Sequence, residues 1–159
     1  MHACELGAEG VYRGHKCVAR YFFRKNLAEI DSFRFHEKSH AKTFANLLSD
    51  RDHRKCYFSW LFFWGGLFYG VFVGLLGLRA IGTSTHTIEQ IVDAEFGEAL
   101  EKLKDEQAIS RVIAEIQAEE RGHREAGAAL AADGHFLSGP VSKVARAGAY
   151  TAKFAAAHL

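Results

Sequence analysis

A chain of 159 residues with 48% apolar side chains, 25% charged side chains and a formal net charge of +1 has material for one sizeable core and too little for two ordinary domains. Its 20 basic side chains are matched by 19 acids and spread along the sequence, which gives no nucleic-acid stripe, so no nucleic-acid partner is expected. Three cysteines, Cys4, Cys17 and Cys56, with no Cys-x-x-Cys spacing, argue against a disulfide framework or a zinc site and point to a reducing compartment.

The first residues carry Glu5, Glu9 and two glycines, without the basic start and apolar run of a cleavable signal. The single proline, Pro140, leaves nearly the whole chain open to long helices, and an all-α protein is expected. Residues 3 to 24 set Ala3, Leu6, Val11, Val18, Tyr21 and Phe22 at roughly helical spacing, weakened by Gly7, Gly10 and Gly14. A turn at Lys25-Asn26 leads to a second helix over 27–48, with Leu27, Ile30, Phe33, Phe44, Leu47 and Leu48 on its core stripe.

After a charged connector at residues 50–55, Cys56 to Leu78 runs for 23 residues without one charged side chain. That length is enough to cross a bilayer. It equally suits a monotopic crossover helix, about 57–78, that dips into a lipid surface. Gly66, Gly70 and Gly74 recur every four residues and make a smooth stripe for another helix or a flat ligand. Trp60, Trp64 and Tyr69 are rings of the kind found both at membrane interfaces and in cores.

Thr83-Ser84-Thr85 offers a cap for a helix over 86–104, in which Glu89 lies on or near the apolar face of Ile88, Ile91, Val92 and Phe96. Residues 106–132 give a fourth long helix, ended by Asp133-Gly134, and Pro140 opens an alanine-rich, basic helix over about 140–158. One domain spanning 1–159 is expected.

Glu37-Lys38-Ser39-His40 and Glu120-Arg121-Gly122-His123 are both Glu-x-x-His, a spacing that sets carboxylate and imidazole on one helix face, able to hold the same metal ion. Each alone is weak, since roughly 0.7 such pairs arise by composition and a lone Glu or His on a charged helix is ordinarily solvated. The intervals add weight. Glu5 precedes Glu37 by 32 residues and Glu89 precedes Glu120 by 31, so each half shows a lone Glu followed one helical hairpin later by Glu-x-x-His. Four Glu and two His, meeting at a bundle centre, are the ligand set of carboxylate-bridged di-iron helix bundles, and manganese suits the same ligands. A shared site also requires both phrases on one side of a membrane, so the apolar helix between them should lie in the surface and not span it.

On these motifs the chain resembles the demethoxyubiquinone hydroxylases, a ferritin-like di-iron family, over almost its entire length. His2-Ala3-Cys4-Glu5-Leu6-Gly7-Ala8 is similar to the family's opening His-Ala-Gly-Glu-x-Gly-Ala and continues into Val11-Tyr12-Arg13-Gly14. His36-Glu37-Lys38-Ser39-His40 is similar to its His-Glu-x-x-His, Gly74-Leu75-Leu76-Gly77 to its apolar Gly-rich segment, Thr85-His86-Thr87-Ile88-Glu89 to the place of its lone glutamate, and Glu119-Glu120-Arg121-Gly122-His123 to its closing Glu-x-x-His.

The resemblance implies a ferritin-like four-helix bundle with an extra apolar crossover helix and a C-terminal helix. It implies ring hydroxylation of demethoxyubiquinone in ubiquinone synthesis, with O2 as co-substrate, two iron ions held by Glu5, Glu37, His40, Glu89, Glu120 and His123, and an external reductant supplying NADH-derived electrons. The partners it implies are a membrane surface, a lipid-soluble quinone, a lipid-binding accessory protein and a second copy of the chain. Its place would be the cytoplasmic face of a bacterial inner membrane or the matrix face of the mitochondrial one. Two departures stand out: Cys4 replaces the family's Gly, and Glu95-Phe96 stands where the family has His-Tyr. A relay at that place would run here through Tyr12 or Glu95. The alternative functions are ferritin-like iron or peroxide handling and a lipid-binding, non-enzymatic helical protein.

Overall fold

The computed structural model describes residues 1–132 and 134–158. Six α-helices make the molecule: α1 His2–Phe22, α2 Leu27–Ser49, α3 Ser59–Leu75, α4 Leu78–Lys102, α5 Gln107–Ala131 and α6 Ser138–His158, with a 3-10 turn at Arg24–Asn26 and no strand among the described residues. The connections between α1 and α2 and between α4 and α5 are short, so each pair packs as an antiparallel hairpin. The two hairpins form a ferritin-like bundle, α3 crosses between them along α1, and α6 rests mainly on α4.

Two apolar clusters sit at opposite ends of the bundle. Ala19, Ile30, Val73, Ala80, Ile81 and Val141 close one end, and Phe44, Phe96, Ile113 and Ile116 close the other. Between them, at mid-height, the same helices turn carboxylates inward. The polar centre is therefore held from both ends by packed side chains that exclude water.

The glycine stripe of α3 packs against α1. A β-carbon at Gly66 would run into the carbonyl oxygen of Gly7, and one at Gly70 into that of Val11, while Gly10 and Gly14 of α1 face the backbone of Phe63 and Leu67 in the same way. Backbone meets backbone along two parallel helices, which only residues without side chains permit.

The apolar segment is shorter as a helix than its uncharged run. α3 has 17 residues, about 25 Å at 1.5 Å per residue against a hydrocarbon core of about 30 Å. No helix among the described residues is long and apolar enough to cross a membrane. Trp60, Trp64, Phe68, Phe72 and Leu75 are nonetheless exposed, Phe68 by 69%.

Other local expectations change. Thr83-Ser84-Thr85 does not cap α4: the helix starts at Leu78, after Gly77 at φ +110°, a backbone conformation that suits glycine. The three hydroxyl residues lie inside it, buried, and Thr83 Oγ1 donates back to the Arg79 carbonyl at 2.9 Å. Tyr21 and Phe22, which share the helical spacing of Ala3, Leu6, Val11 and Val18, are exposed because α1 ends there. α6 begins two residues before Pro140, which sits in its first turn. Of the expected stop after α5, Gly134 has φ +73° and Asp133 lies outside the described residues.

Candidate metal centre

Glu5 stands in the first turn of α1, Glu37 and His40 one turn apart on α2, Glu89 in mid α4, and Glu120 with His123 in the second half of α5. The i, i+3 spacing puts the two residues of each pair on one face, and packing of the hairpins points all six to one level. Every one is buried, Glu120 completely.

Their ligand atoms form two overlapping groups. Glu5, Glu37, His40 and Glu120 offer atoms within 4.8 Å of one another, and so do Glu37, Glu89, Glu120 and His123. Glu37 and Glu120 belong to both. Each half of the chain thus gives one shared carboxylate, one unshared carboxylate and one imidazole, in the pattern of two adjacent cation positions bridged by two glutamates.

His40 Nδ1 lies 2.8 Å from Glu120 Oε1, 3.8 Å from Glu5 Oε2 and 3.9 Å from Glu37 Oε2. His123 Nδ1 lies 2.9 Å from Glu120 Oε2 and 3.4 Å from Glu37 Oε1. The close His40–Glu120 approach lacks hydrogen-bond alignment: His40 Nδ1, Glu120 Oε1 and Glu37 Oε1 are buried without a hydrogen-bond partner. Buried donors and acceptors normally find partners. Unpartnered buried atoms this close together are available as ligands, and the donor set, carboxylate oxygen with imidazole nitrogen, suits iron or manganese.

Electrostatics agree. Among the described residues no Lys or Arg lies within 4 Å of any of these four carboxylates. Burial, then the neighbouring Glu120 charge, raises Glu5 from the ordinary value of 4.5 to about 7 and pushes Glu37 and Glu89 well above it. For Glu120 burial works the other way from its neighbours, and the hydrogen bond to His123 together with the charges of His123 and His40 prevails, holding it below the usual range. Burial disfavours the His40 imidazolium, but Glu120, Glu119 and Glu5 outweigh it and raise that group to about 9. Without metal the centre therefore stores protons where cations would otherwise sit.

A second ring of residues holds the first. His40 Nε2 meets Glu119 Oε2 at 2.9 Å, and His123 Nε2 meets His36 Nδ1 at 2.9 Å. Tyr12 Oη donates to Glu89 Oε1 at 2.5 Å from a fully buried position. Asp93, one turn beyond Glu89, accepts from Gln117 at 2.8 Å, Arg121 at 2.9 Å and Arg124 at 2.6 Å, tying α4 to α5 beside the centre. Of the two relay candidates, Tyr12 is thus brought to the centre. Glu95 is not: it pairs with Lys153 of α6 at 3.3 Å.

Glu119, His36 and Asp93 were missed as site residues. The signal for the first two was adjacency, since each immediately precedes a Glu-x-x-His glutamate.

A cavity of about 610 Å3 opens between α3 and α6 and ends on Glu5, Glu37, Glu89 and Glu120. Leu61, Phe62, Tyr69, Ile91 and Val144 are among its walls, and Cys4, Glu95 and Lys153 reach its edge. Burial raises the Cys4 thiol above its ordinary value, so it lines this wall as a neutral group.

Compared with known proteins, residues 1–156 match the family model described as "Ubiquinone biosynthesis protein COQ7". No curated protein matches the chain.

Proposed function

The chain belongs to the ubiquinone biosynthesis protein COQ7 family, and from that premise we propose that it is a di-iron monooxygenase hydroxylating the ring of demethoxyubiquinone. The observation that carries this reading is the cavity: an apolar space of about 610 Å3 that starts at exposed side chains of α3 and α6 and ends on four glutamates of the metal centre. A lipid-soluble ring with an isoprenoid tail has the chemistry for such a space, since its polar head can lie against the carboxylates while its tail stays in contact with apolar walls.

Two iron ions would be held by Glu5, Glu37, His40 and Glu120 and by Glu37, Glu89, Glu120 and His123, with Glu37 and Glu120 common to both groups. Iron in this ligand set supplies the one-electron steps and the reaction with O2 that replacement of a ring C–H by C–OH requires. In the balanced reaction one oxygen atom enters the ring and the other leaves as water, consuming two electrons from an external reductant and two protons. Tyr12 holds its hydroxyl proton on Glu89 Oε1 and so fixes the direction of that carboxylate. Glu119 and His36 do the same for the two imidazoles. The apolar clusters above and below the centre, with the Gly-packed α1–α3 wall, keep bulk water from the reacting face.

The substrate comes from the bilayer, against which α3 lies as a monotopic helix. Exposed Trp60, Trp64, Phe68 and Phe72 support that position. A store of iron without an organic substrate has no use for the cavity or for these rings.

The test is a strain lacking its demethoxyubiquinone hydroxylase, supplied with this chain. Conversion of the accumulated demethoxyubiquinone, lost with Glu37→Ala, supports the proposal. Unchanged accumulation with the protein expressed and iron-loaded contradicts it.

A further inference from the structure

The even charge balance of the chain conceals a segregation that folding creates. α3 and α6 contain no Asp or Glu, and the two glutamates of α1, Glu5 and Glu9, are buried. Among the described residues these three helices expose charge of one sign only, through Arg13 and Arg20 on α1 and Lys143, Arg146 and Lys153 on α6. The exposed acids stand elsewhere, as with Glu98 and Glu101 on α4 and Glu115 and Glu125 on α5.

The cations bracket the apolar helix. Arg54 and Lys55 precede α3, Arg79 follows it just past the Gly77 turn, and Arg20 lies near its C-terminal end, because α1 runs parallel to α3 with Val18 against Gly74. Arg13 sits over the Phe63 ring, 5.9 Å from its centroid. None of Arg13, Arg20, Arg54, Lys55 and Arg79 has a carboxylate within 4 Å among the described residues, whereas Arg51, next to the connector's Asp50 and Asp52, is paired with Glu106 at 2.8 Å. Exposed aromatics in the middle and unpaired cations at both ends are complementary to a surface that is apolar inside and anionic at its edge.

We infer that the α1–α3–α6 face docks on a bilayer rich in anionic phospholipid, with α3 at the boundary between headgroups and acyl chains and the bracketing cations on the lipid phosphates. This rests on the membrane reading above and adds the lipid class. A net charge of +1 spread evenly would attract such a surface weakly. Segregated, it turns the cavity mouth toward the lipid and the acidic α4–α5 side away. A second copy is a poor occupant, because a two-fold contact would press one positively charged face against another.

Both tryptophans of the chain, Trp60 and Trp64, are exposed on α3, so intrinsic fluorescence reports burial of this face alone. The full-length protein is titrated with vesicles of phosphatidylcholine, or of phosphatidylcholine with about one phosphatidylglycerol in three, at low and high salt. The expected result is a blue shift with partitioning at least about tenfold stronger on anionic vesicles, a difference that high salt abolishes. The exposed triple change Arg13→Gln, Arg20→Gln, Arg79→Gln should weaken anionic partitioning roughly a hundredfold, at about fivefold per cation. Lys38→Gln with Lys42→Gln, on α2, should leave it unchanged.

Equal partitioning on both vesicles, or indifference to the triple change, overturns the anionic preference while the membrane reading stands. A blue shift on neither overturns both. A blue shift that grows with protein concentration without vesicles overturns the inference in favour of self-association.

Discussion

Glu119 and His40 come from different hairpins and meet at 2.9 Å, carboxylate to Nε2, on the outer side of the centre that His40 faces with Nδ1. His36 and His123 repeat the relation in the opposite direction. In each half of the chain the residue before the shared glutamate braces the imidazole of the other half. The two motifs therefore orient each other, and neither hairpin alone can build the centre.

Removing a brace should loosen metal binding without unfolding the protein, since Glu119 is exposed on its outer side. Glu119→Ala is expected to weaken Fe(II) or Mn(II) affinity about 10- to 100-fold, with Glu119→Gln, which still accepts from Nε2–H, in between. A competition titration against a chelator measures this. Unchanged affinity in the alanine variant would show that the contact has no part in orienting the ligand.

The α1–α3 wall predicts opposite effects for two glycines. Gly70→Ala would press a methyl onto the Val11 backbone, which cannot step aside, at a cost of about 1–3 kcal/mol or more. Gly122→Ala, where nothing lies within 4 Å of an added β-carbon on exposed α5, should stabilise the protein by up to about 1 kcal/mol. Denaturant unfolding of both variants decides; equal effects would contradict the packing described.

Metal-free protein should lose thermal stability between pH 6.5 and pH 9. Glu5 is raised from 4.5 to about 7 and His40 from 6.5 to about 9. A group with a raised folded value stabilises fully below its unfolded value, and that contribution fades as pH climbs through the folded one. Glu37 and Glu89, raised further, act in the same direction. Metal replaces the protons, so affinity should strengthen with pH over the same window and the loaded protein should not show the loss. Melting midpoints at the two pH values, with and without Mn(II), check both; a metal-free midpoint that rises with pH would be the wrong sign.

Acid acts on a different residue. His15 is completely buried with both ring nitrogens unpartnered, and burial lowers it to about 3. Its contribution is present above 6.5 and lost as pH falls through that interval toward 3. His15→Leu should move acid unfolding to lower pH and leave neutral stability equal or about 1 kcal/mol higher. A loss of more than about 2 kcal/mol at pH 7 would mean that the imidazole does have a partner.

The six residues of the centre were legible because their relation is local: i, i+3 within a helix and matching intervals across a hairpin. Features that depend on how hairpins dock were not. Glu119 touches His40 only once α2 and α5 face each other, and the charge segregation exists only once α1, α3 and α6 share a side. Thr83-Ser84-Thr85 reads as a cap by composition, yet the helix starts just after Gly77, and the Thr83 hydroxyl bonds within it while that of Ser84 meets Tyr69 of α3. Glu95 occupied the sequence position of a relay but faces α6, where Lys153 takes its charge.

Counting metal ions under anaerobic titration with Fe(II) tests the central claim most directly. The overlapping groups around Glu37 and Glu120 predict about two equivalents per chain, with Glu5→Ala sparing one position and Glu37→Ala weakening both. A single equivalent in the unaltered protein, or identical behaviour of the two variants, would contradict a centre with shared glutamates.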